Sequence, residues 1–138
     1  EELKNKIVKY QEDKEAPENW SIENMLLNAE PVISLHRIAS RGQCANEINW
    51  QQLTQLISER DKSMAILLSN NPELSDREQH VVMLIRLRFI PSEISVLMDV
   101  SAQNVTNMRQ RLMQKMFGEN GGARDFDRRI HELQRPQF

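Results

Sequence analysis

Amide, hydroxyl and guanidinium side chains occupy most positions between residues 103 and 114. Asn and Gln can each form two hydrogen bonds with an adenine edge, and Arg can do the same with guanine. On a helix that turns about 100° per residue, Val105, Met108, Leu112 and Met116 share one side, so the polar side chains point away from them. The segment is therefore interpreted as a helix suited to the major groove of DNA. The residues predicted to contact double-stranded DNA are Ser92, Gln103, Asn104, Thr106, Asn107, Gln110, Arg111 and Lys115.

Two kinds of DNA contact are expected from this set. Residues 103–111 are expected to reach base edges, because the N-terminal half of such a helix enters the groove. Lys115 and Ser92 are expected to hold phosphates instead, and the N-terminus of its own helix would assist Ser92.

The charge of residues 101–117 favours binding to an anion. Arg109, Arg111 and Lys115 lie in this segment, and no acidic residue does. A locally basic helix in a chain of net charge −2 indicates that binding is focused on one element. Arg109 lies near the edge of the apolar side, so both a phosphate contact and a structural ion pair, with Glu93 or Asp99, fit its position.

The position of this helix is predicted to depend on a second, shorter helix that precedes it. Pro91 suits a first helical turn, and Ile94, Leu97 and Met98 then form one apolar face. Residues 99–101 interrupt that periodicity. Ser101 is a good N-cap for the longer helix that follows.

The spacing across the pair is typical of a DNA-binding helix-turn-helix. Such a motif needs a small residue where the helices cross, an unusual backbone conformation in the turn, and buried aliphatic residues after it. Ser95, Asp99, Val100, Val105 and Met108 fill these places in order. Glycine is common at the turn position, and Asp99 is physically acceptable there because Asp tolerates the left-handed region.

A resemblance to LuxR-type and sigma-factor region-four helix-turn-helix domains is carried by residues 74–118, LSDREQHVVMLIRLRFIPSEISVLMDVSAQNVTNMRQRLMQKMFG. The C-terminal domain of a group of Bacteroidetes transcriptional regulators is similar to residues 103–133, QNVTNMRQRLMQKMFGENGGARDFDRRIHEL. The resemblance implies a longer protein with a sensor region, often of tetratricopeptide-like repeats, then one transmembrane helix, a coiled coil and this DNA-binding part. It is strong over residues 74–133 and weaker over the first seventy.

A supporting helix is predicted to begin just after Leu74. Ser75 and Glu78 have the spacing of a capping box, and Leu74 stands at the position of a hydrophobic staple. Its broad apolar face, wide enough to be covered by both helices of the pair, is made by Val81, Val82, Leu84, Ile85 and Phe89. Three arginines fall outside that stripe, namely Arg77, Arg86 and Arg88.

A short last helix is predicted after Gly118, which stops the long one. Phe126, Ile130 and Leu133 are spaced at i, i+4 and i+7. We expect this helix to pack on the supporting helix or across a dimer.

Three further helices are predicted upstream. The first starts at Ser21, is kinked or restarted by Pro31, and ends at Gly42, with a loop at residues 43–48. Its apolar stripe is Ile22, Met25, Leu26, Ala29, Val32, Ile33, His36 and Ala39, with His36 as a hydrogen-bonded packing residue. Asn49 is predicted to cap the second helix, which buries Trp50, Leu53, Leu56 and Ile57. Asp61 is predicted to cap the third helix, which buries Met64, Ile66, Leu67 and Leu68.

The predicted fold class is all-α, in three parts. Residues 1–16 are read as a coiled-coil stub with Leu3, Ile7 and Tyr10 on its seam, although a single surface helix fits equally well. Residues 17–73 form a helical connecting or dimerisation region, and residues 74–138 form the helix-turn-helix DNA-binding domain. The chain is expected to be a fragment of a longer protein.

Composition and motifs argue against several functional classes. Cys44 is the single cysteine, so a disulfide framework within the chain is excluded. His36, His80 and His131 are far apart and lack the spacing of metal ligands, and no phosphate-binding glycine motif occurs, so neither a metal nor another cofactor is expected. No apolar stretch approaches the roughly 20 residues that span a bilayer. We therefore expect no membrane contact by this fragment and a cytoplasmic location, even if the full-length protein is membrane-anchored.

Two functions other than DNA binding are alternatives for this sequence. One is a helical protein-interaction adaptor, for example one contacting RNA polymerase, that uses a helix-turn-helix without base readout. A helix that docks in a protein groove would carry apolar anchors on its outer face, and this one is polar. The other is an enzyme, which is not expected because the acidic residues lie mostly at helix starts and exposed positions.

We expect the chain to form a homodimer whose association sets its DNA affinity. A single recognition helix makes few base contacts, so dimers commonly read two half-sites about one helical turn apart. Sedimentation at rising concentration, with and without residues 1–16, should show weaker association for the truncated chain. A monomer at high micromolar concentration that binds a palindromic site without cooperativity would contradict this prediction.

Overall fold

A computed structural model describes residues 24–134 of the chain, except for the side chain of the last of these. The regular elements in this part are all helical, so the predicted all-α class is confirmed. They are α1 (Glu30–Ser40), α2 (Glu47–Arg60), α3 (Lys62–Ser69), α4 (Asp76–Arg86), α5 (Pro91–Met98), α6 (Ala102–Phe117), α7 (Ala123–His131) and a 3₁₀ turn (Glu132–Gln134). A helical turn at residues 24–27 precedes α1. The coiled coil predicted over residues 1–16 lies outside the described residues.

Helix α4 is the centre of the fold. The hydroxyl of Ser75 accepts a hydrogen bond from the Glu78 N–H at 3.1 Å, and the Glu78 carboxylate accepts one from the Ser75 N–H at 2.9 Å, which confirms the predicted capping box. Residues 81–87 are all buried. Helices α2, α3, α5, α6 and α7 pack around them. Because this second half of α4 is enclosed on every side, rather than covered on one face, one core extends through residues 26–130.

Arg86 is buried although it lies outside the apolar stripe of α4. Only 9% of the residue is exposed. Its Nε and Nη2 donate to the two Asp61 carboxylate oxygens at 2.7 and 3.0 Å, and its Nη1 donates to the Ile130 carbonyl oxygen at 3.0 Å. The sequence grouped Arg86 with Arg77 and Arg88, which are both exposed. Arg86 is buried instead because α3 and α7 cover that side of α4.

Asp61 has a second role at the start of α3. Its carboxylate accepts a hydrogen bond from the Met64 N–H at 3.3 Å, which confirms the predicted cap. One buried carboxylate thus starts α3 and neutralises Arg86, so the α2–α3 junction is fixed against α4.

The C-terminus of α4 ends on Arg88 in the left-handed region, at a φ of 71°. The Arg88 N–H donates to the Ile85 carbonyl at 3.0 Å and the Phe89 N–H donates to the Leu84 carbonyl at 3.0 Å. This is the bonding of a Schellman motif, whose left-handed position usually holds glycine. A residue with a Cβ costs about 1 kcal/mol there.

Helices α1 and α2 begin at residues that partly differ from those predicted. Pro31 lies in the first turn of α1 and Gly42 follows the helix at a φ of 71°, both as expected. The N-cap of α2 is Asn46, and Asn49, predicted as the cap, is instead the N3 residue whose side chain accepts from the Asn46 N–H at 2.8 Å. The predicted loop therefore ends earlier, because two Asn residues three apart can close a reciprocal cap.

Helix α1 and the loop after it hold α5. The His36 Nδ1–H donates to the Glu93 carboxylate at 2.8 Å, and the His36 ring stacks on Phe89 with centroids 4.0 Å apart. The Ala45 N–H donates to the Leu97 carbonyl at 3.0 Å. The prediction that His36 is a hydrogen-bonded packing residue is confirmed.

The predicted apolar stripes of the upstream helices are right in part. Leu26, Val32, Ala39, Leu53, Leu56, Ile57 and Met64 are buried as predicted, and Leu67 and Leu68 are half-buried. Met25, Ile33 and Ile66 are exposed, with 53%, 38% and 59% of their surface accessible, so their predicted burial is wrong. Leu35 of α1 is also fully buried, and the predicted stripe omitted it. Trp50 is half-buried because it stacks on His80 at 4.1 Å rather than entering the core.

Helix α7 packs on α4 and α6. Phe126 and Ile130 are fully buried, and Leu133, in the 3₁₀ turn, packs partly against the same core. The long helix α6 ends at Gly118 with a φ of 67°, as predicted. Of the two arrangements expected for the last helix, packing on the supporting helix is therefore observed. The division predicted at residue 73 stays a prediction, although helices on both sides of it share one core.

Arg86→Met should lower the free energy of unfolding by about 3–5 kcal/mol, because it leaves the buried Asp61 carboxylate without a cation. Arg60→Met, at an exposed neighbouring arginine, is the matched control and should change stability by less than about 0.5 kcal/mol. Urea unfolding followed by circular dichroism compares the two. Equal midpoints for both variants would show that the Arg86 pair contributes little.

Candidate nucleic-acid interface

The turn between α5 and α6 has the conformation predicted from the sequence. Asp99 adopts the left-handed region, at φ 58° and ψ 50°, and the Val100 N–H donates to the Ser95 carbonyl at 3.0 Å. Ser101 then caps α6, because its hydroxyl accepts from the Asn104 N–H at 3.0 Å. The two helices are thus joined by three residues with defined hydrogen bonds.

Apolar side chains fix the crossing of α5 and α6. The residues buried from the two helices are Ile94, Leu97 and Met98 on α5 and Val105, Met108, Leu112 and Met113 on α6. Each buried side chain of this size contributes about 2 kcal/mol. Ser95 is half-buried beside them, as the predicted small residue requires. The orientation of α6 is therefore set by its packing and not by its polar side.

The outward side of α6 carries the residues predicted to read bases. Gln103, Asn104, Asn107, Gln110 and Arg111 are exposed, as is Gln114, and Thr106 is half-buried at the margin. The Gln103 amide donates to the Asn107 side-chain oxygen at 3.0 Å, one turn further along. The structure therefore brings six of the predicted site residues onto one surface, which we call the outer face of α6: Gln103, Asn104, Thr106, Asn107, Gln110 and Arg111.

Lys115 lies at one flank of this face. Its ammonium group donates to both Glu78 carboxylate oxygens, at 2.9 and 3.2 Å. Burial alone would raise the pKa of Glu78, but Lys115 and the Ser75 N–H and hydroxyl together hold it below its ordinary value of 4.5. Lys115, predicted as a phosphate ligand, thus joins α6 to the first turn of α4.

Arg109 lies at the opposite flank, where α7 borders α6. Its Nε and Nη2 donate to the two Asp127 carboxylate oxygens at 3.1 and 2.6 Å. Of the two roles left open for Arg109, the structural ion pair is the one observed. The predicted partners, Glu93 and Asp99, are wrong, because Arg109 faces α7 and not α5.

Ser92 stands apart from the outer face of α6, in the first turn of α5. It is exposed, and its carbonyl accepts from the Ser95 hydroxyl at 3.2 Å. The neighbouring Glu93 accepts from the Ile90 N–H at 3.1 Å and from His36. A carboxylate therefore already occupies part of this helix N-terminus.

Arg77 is an exposed cation that the sequence did not assign to the site. It lies in the first turn of α4, and its Nη2 is 3.5 Å from the Met98 carbonyl at the end of α5. The contact places a further positive charge beside the turn of the motif. The sequence feature that could have assigned Arg77 to the site is its position outside the apolar stripe of α4.

Comparison with protein-family models, with curated proteins and with solved structures finds no match for this chain. Within residues 24–134, no helix has the length and hydrophobicity needed to cross a membrane. The family resemblance of residues 74–133 thus stays a prediction.

Lys115→Met should raise the pKa of Glu78 towards 4.5. A carboxyl group with a lowered pKa stabilises the fold above its unfolded pKa and loses that contribution as the pH falls through its folded pKa. The variant should thus lose up to about 1 kcal/mol at pH 7, and the loss should shrink as the pH falls through the folded pKa of Glu78. Carboxyl carbon NMR titration and urea unfolding measure both quantities.

Lys62→Met, at an exposed lysine on α3, is the control and should leave the Glu78 titration unchanged. An unchanged Glu78 pKa in Lys115→Met would show that the two groups do not pair in solution.

Proposed function

We propose that this chain is a sequence-specific DNA-binding transcription regulator in which α6 enters the major groove. The observation that carries the proposal is the outer face of α6, which is exposed, polar and without an acidic residue on a helix whose other sides are fixed. A rigid helix loses little conformational freedom when it binds, so its side chains can be used for readout.

The chemistry of the outer face suits base edges. Asn107 and Gln103 are amides one turn apart, and each can form paired hydrogen bonds with adenine. Arg111 can do so with guanine. The hydrogen bond between Gln103 and Asn107 would hold the two amides in place before DNA arrives.

The charges around α6 support approach to a polyanion. The two carboxylates at its flanks, Glu78 and Asp127, are each paired with a cation of α6. Arg77 and Arg111 are exposed near the same surface. Repulsion of phosphates by these two carboxylates is thereby reduced, and the two exposed arginines can attract them.

The order of α4, α5 and α6 also agrees with the resemblance to LuxR-type and sigma-factor region-four domains. In such trihelical domains the last of the three helices is the recognition helix. As part of the same proposal, the chain acts in the cytoplasm as a homodimer, and RNA polymerase is a further candidate partner. The resemblance would place a sensor region, a transmembrane helix and a coiled coil before the DNA-binding part.

The competing function, an adaptor that binds only protein, receives less support. Large apolar side chains that are exposed within residues 24–134 are Met25, Ile33, Ile48, Ile66 and Ile90, and none of them is on α6. A helix that docks in a protein groove uses apolar anchors.

Asn107→Ala and Arg111→Ala should each weaken binding to a duplex selected from random sequence by about 1–3 kcal/mol. Their melting temperatures should stay close to that of the parent, because both side chains are exposed. Asn70→Ala and Arg60→Ala, exposed residues of the same types outside α6, are the matched controls. Parental affinity in either α6 variant would refute its assignment to base readout.

A further inference from the structure

A cleft lies on α7, beside the α7 flank of α6. Its volume is about 470 Å³, and it is open to solvent. The residues that line it are Arg88, Arg124, Asp127, Arg128, His131 and Glu132. None of these was assigned to DNA contact from the sequence.

Asp127 joins the cleft to the α7 flank of α6. Its carboxylate both lines the cleft and binds Arg109 of α6. On α6, Arg109 and Lys115 lie on either side of the buried face, since six residues at about 100° each put them roughly 120° apart around the helix. The cleft therefore borders one side of α6, and the first turn of α4, with Glu78, borders the other.

One side of α7 forms the wall of the cleft. Phe126 and Ile130 are buried against the core, whereas Arg124 and Arg128 are exposed. Arg124, Arg128 and Asp127 lie within about 100° of one another on the helix, away from the buried pair. The two arginines thus project from the same side of α7 that meets Arg109.

The charge of the cleft is positive. Arg124 and Arg128 line it with two carboxylates, Asp127 and Glu132, and Arg109 already neutralises Asp127. Arg128 pairs with Asp125 at 2.7 Å, but both side chains are largely exposed, at 62% and 46%, and such pairs exchange partners at little cost. Glu132 is the remaining carboxylate.

His131 is a titratable group in the wall of the cleft. Burial lowers the pKa of His131, and the charges of Arg88 and Arg86 lower it further, against the opposing effects of the Ile85 carbonyl and Asp127. Its Nε2–H donates to the Ile85 carbonyl at 3.0 Å, so the ring is held in place. An anion in the cleft would stabilise the imidazolium form and raise the pKa.

The backbone at Arg88 adds a second observation. This residue occupies a left-handed position that glycine usually fills, so the chain accepts about 1 kcal/mol of strain and keeps an arginine at the rim of the cleft. Strain of this kind is concentrated at binding sites.

We propose that the cleft receives the sugar–phosphate backbone of the DNA strand that borders α6 on the α7 side, with Arg124 and Arg128 as phosphate ligands. The inference rests on the proposed function and extends it from base readout to a second contact surface. Guanidinium groups bind phosphate through paired hydrogen bonds, and an open polar cleft accommodates a backbone that passes along the helix. These contacts would add affinity without sequence preference.

The test is the salt dependence of duplex binding by Arg124→Gln/Arg128→Gln. Each lost phosphate contact makes the slope of log K against log salt shallower by about one, so this double variant should differ from the parent by about two. Its ranking of operator variants should be unchanged. Arg124→Lys/Arg128→Lys should restore most of the slope, and Arg60→Gln/Lys62→Gln, which removes equal charge from α2 and α3, should leave it unaltered.

A second measurement uses His131 in the otherwise unmodified chain. Its ring protons, followed by NMR across pH, should show a raised pKa when a selected duplex is bound. The rise should be smaller in Arg124→Gln/Arg128→Gln.

The outcomes separate the two proposals. If the parent binds DNA and Asn107→Ala weakens binding, but the slope and the His131 titration are unaffected by the double variant, the cleft inference is overturned and the proposed function stands. If that double variant instead loses binding to RNA polymerase, the arginines serve a protein partner, which also overturns it. If the parent chain binds no selected duplex, both the proposed function and the cleft inference are refuted.

Discussion

The enclosure of the C-terminal half of α4 on all sides is the constraint on which the rest of the structure depends. Residues 81–87 are buried without interruption, so helices from both halves of the chain must cover them. One of these residues is Arg86, whose charge cannot be left unpaired in a core. Asp61 and the Ile130 carbonyl compensate it, and in doing so they fix the α2–α3 junction and α7 against the same helix.

The outer face of α6 is a consequence of that arrangement. Helix α5 is held from the upstream side by His36 and Ala45, and α6 is held at its two flanks by Glu78 and Asp127. Every other side of α6 has a partner, so its polar side faces solvent in a fixed direction. The proposed function and the proposed backbone contact both use this direction, one through the amides of α6 and the other through the arginines of α7.

Local signals in the sequence predicted most of the elements, whereas contacts between distant residues were missed. The capping box at Ser75, the cap at Ser101 and the left-handed turn at Asp99 depend on neighbours within four residues, which a sequence displays directly. The Asp61–Arg86 and Arg109–Asp127 pairs join residues on different helices, and helical periodicity does not reveal which helix covers a given side. The same limit explains why Arg109 was given the wrong partners and why the arginines of α7 were not assigned to the site.

The most direct test of the central claim, that α6 reads bases in the major groove, is the affinity of the chain for chemically modified duplexes. Replacing a contacted purine of a selected duplex by its 7-deaza analogue removes one major-groove acceptor, and 3-deazaadenine removes one from the minor groove. We predict that the 7-deaza duplex binds at least roughly fivefold more weakly, about 1 kcal/mol, and that the 3-deaza duplex binds like the parent. Unchanged affinity for every 7-deaza duplex, with a loss for the 3-deaza duplex, would contradict the account.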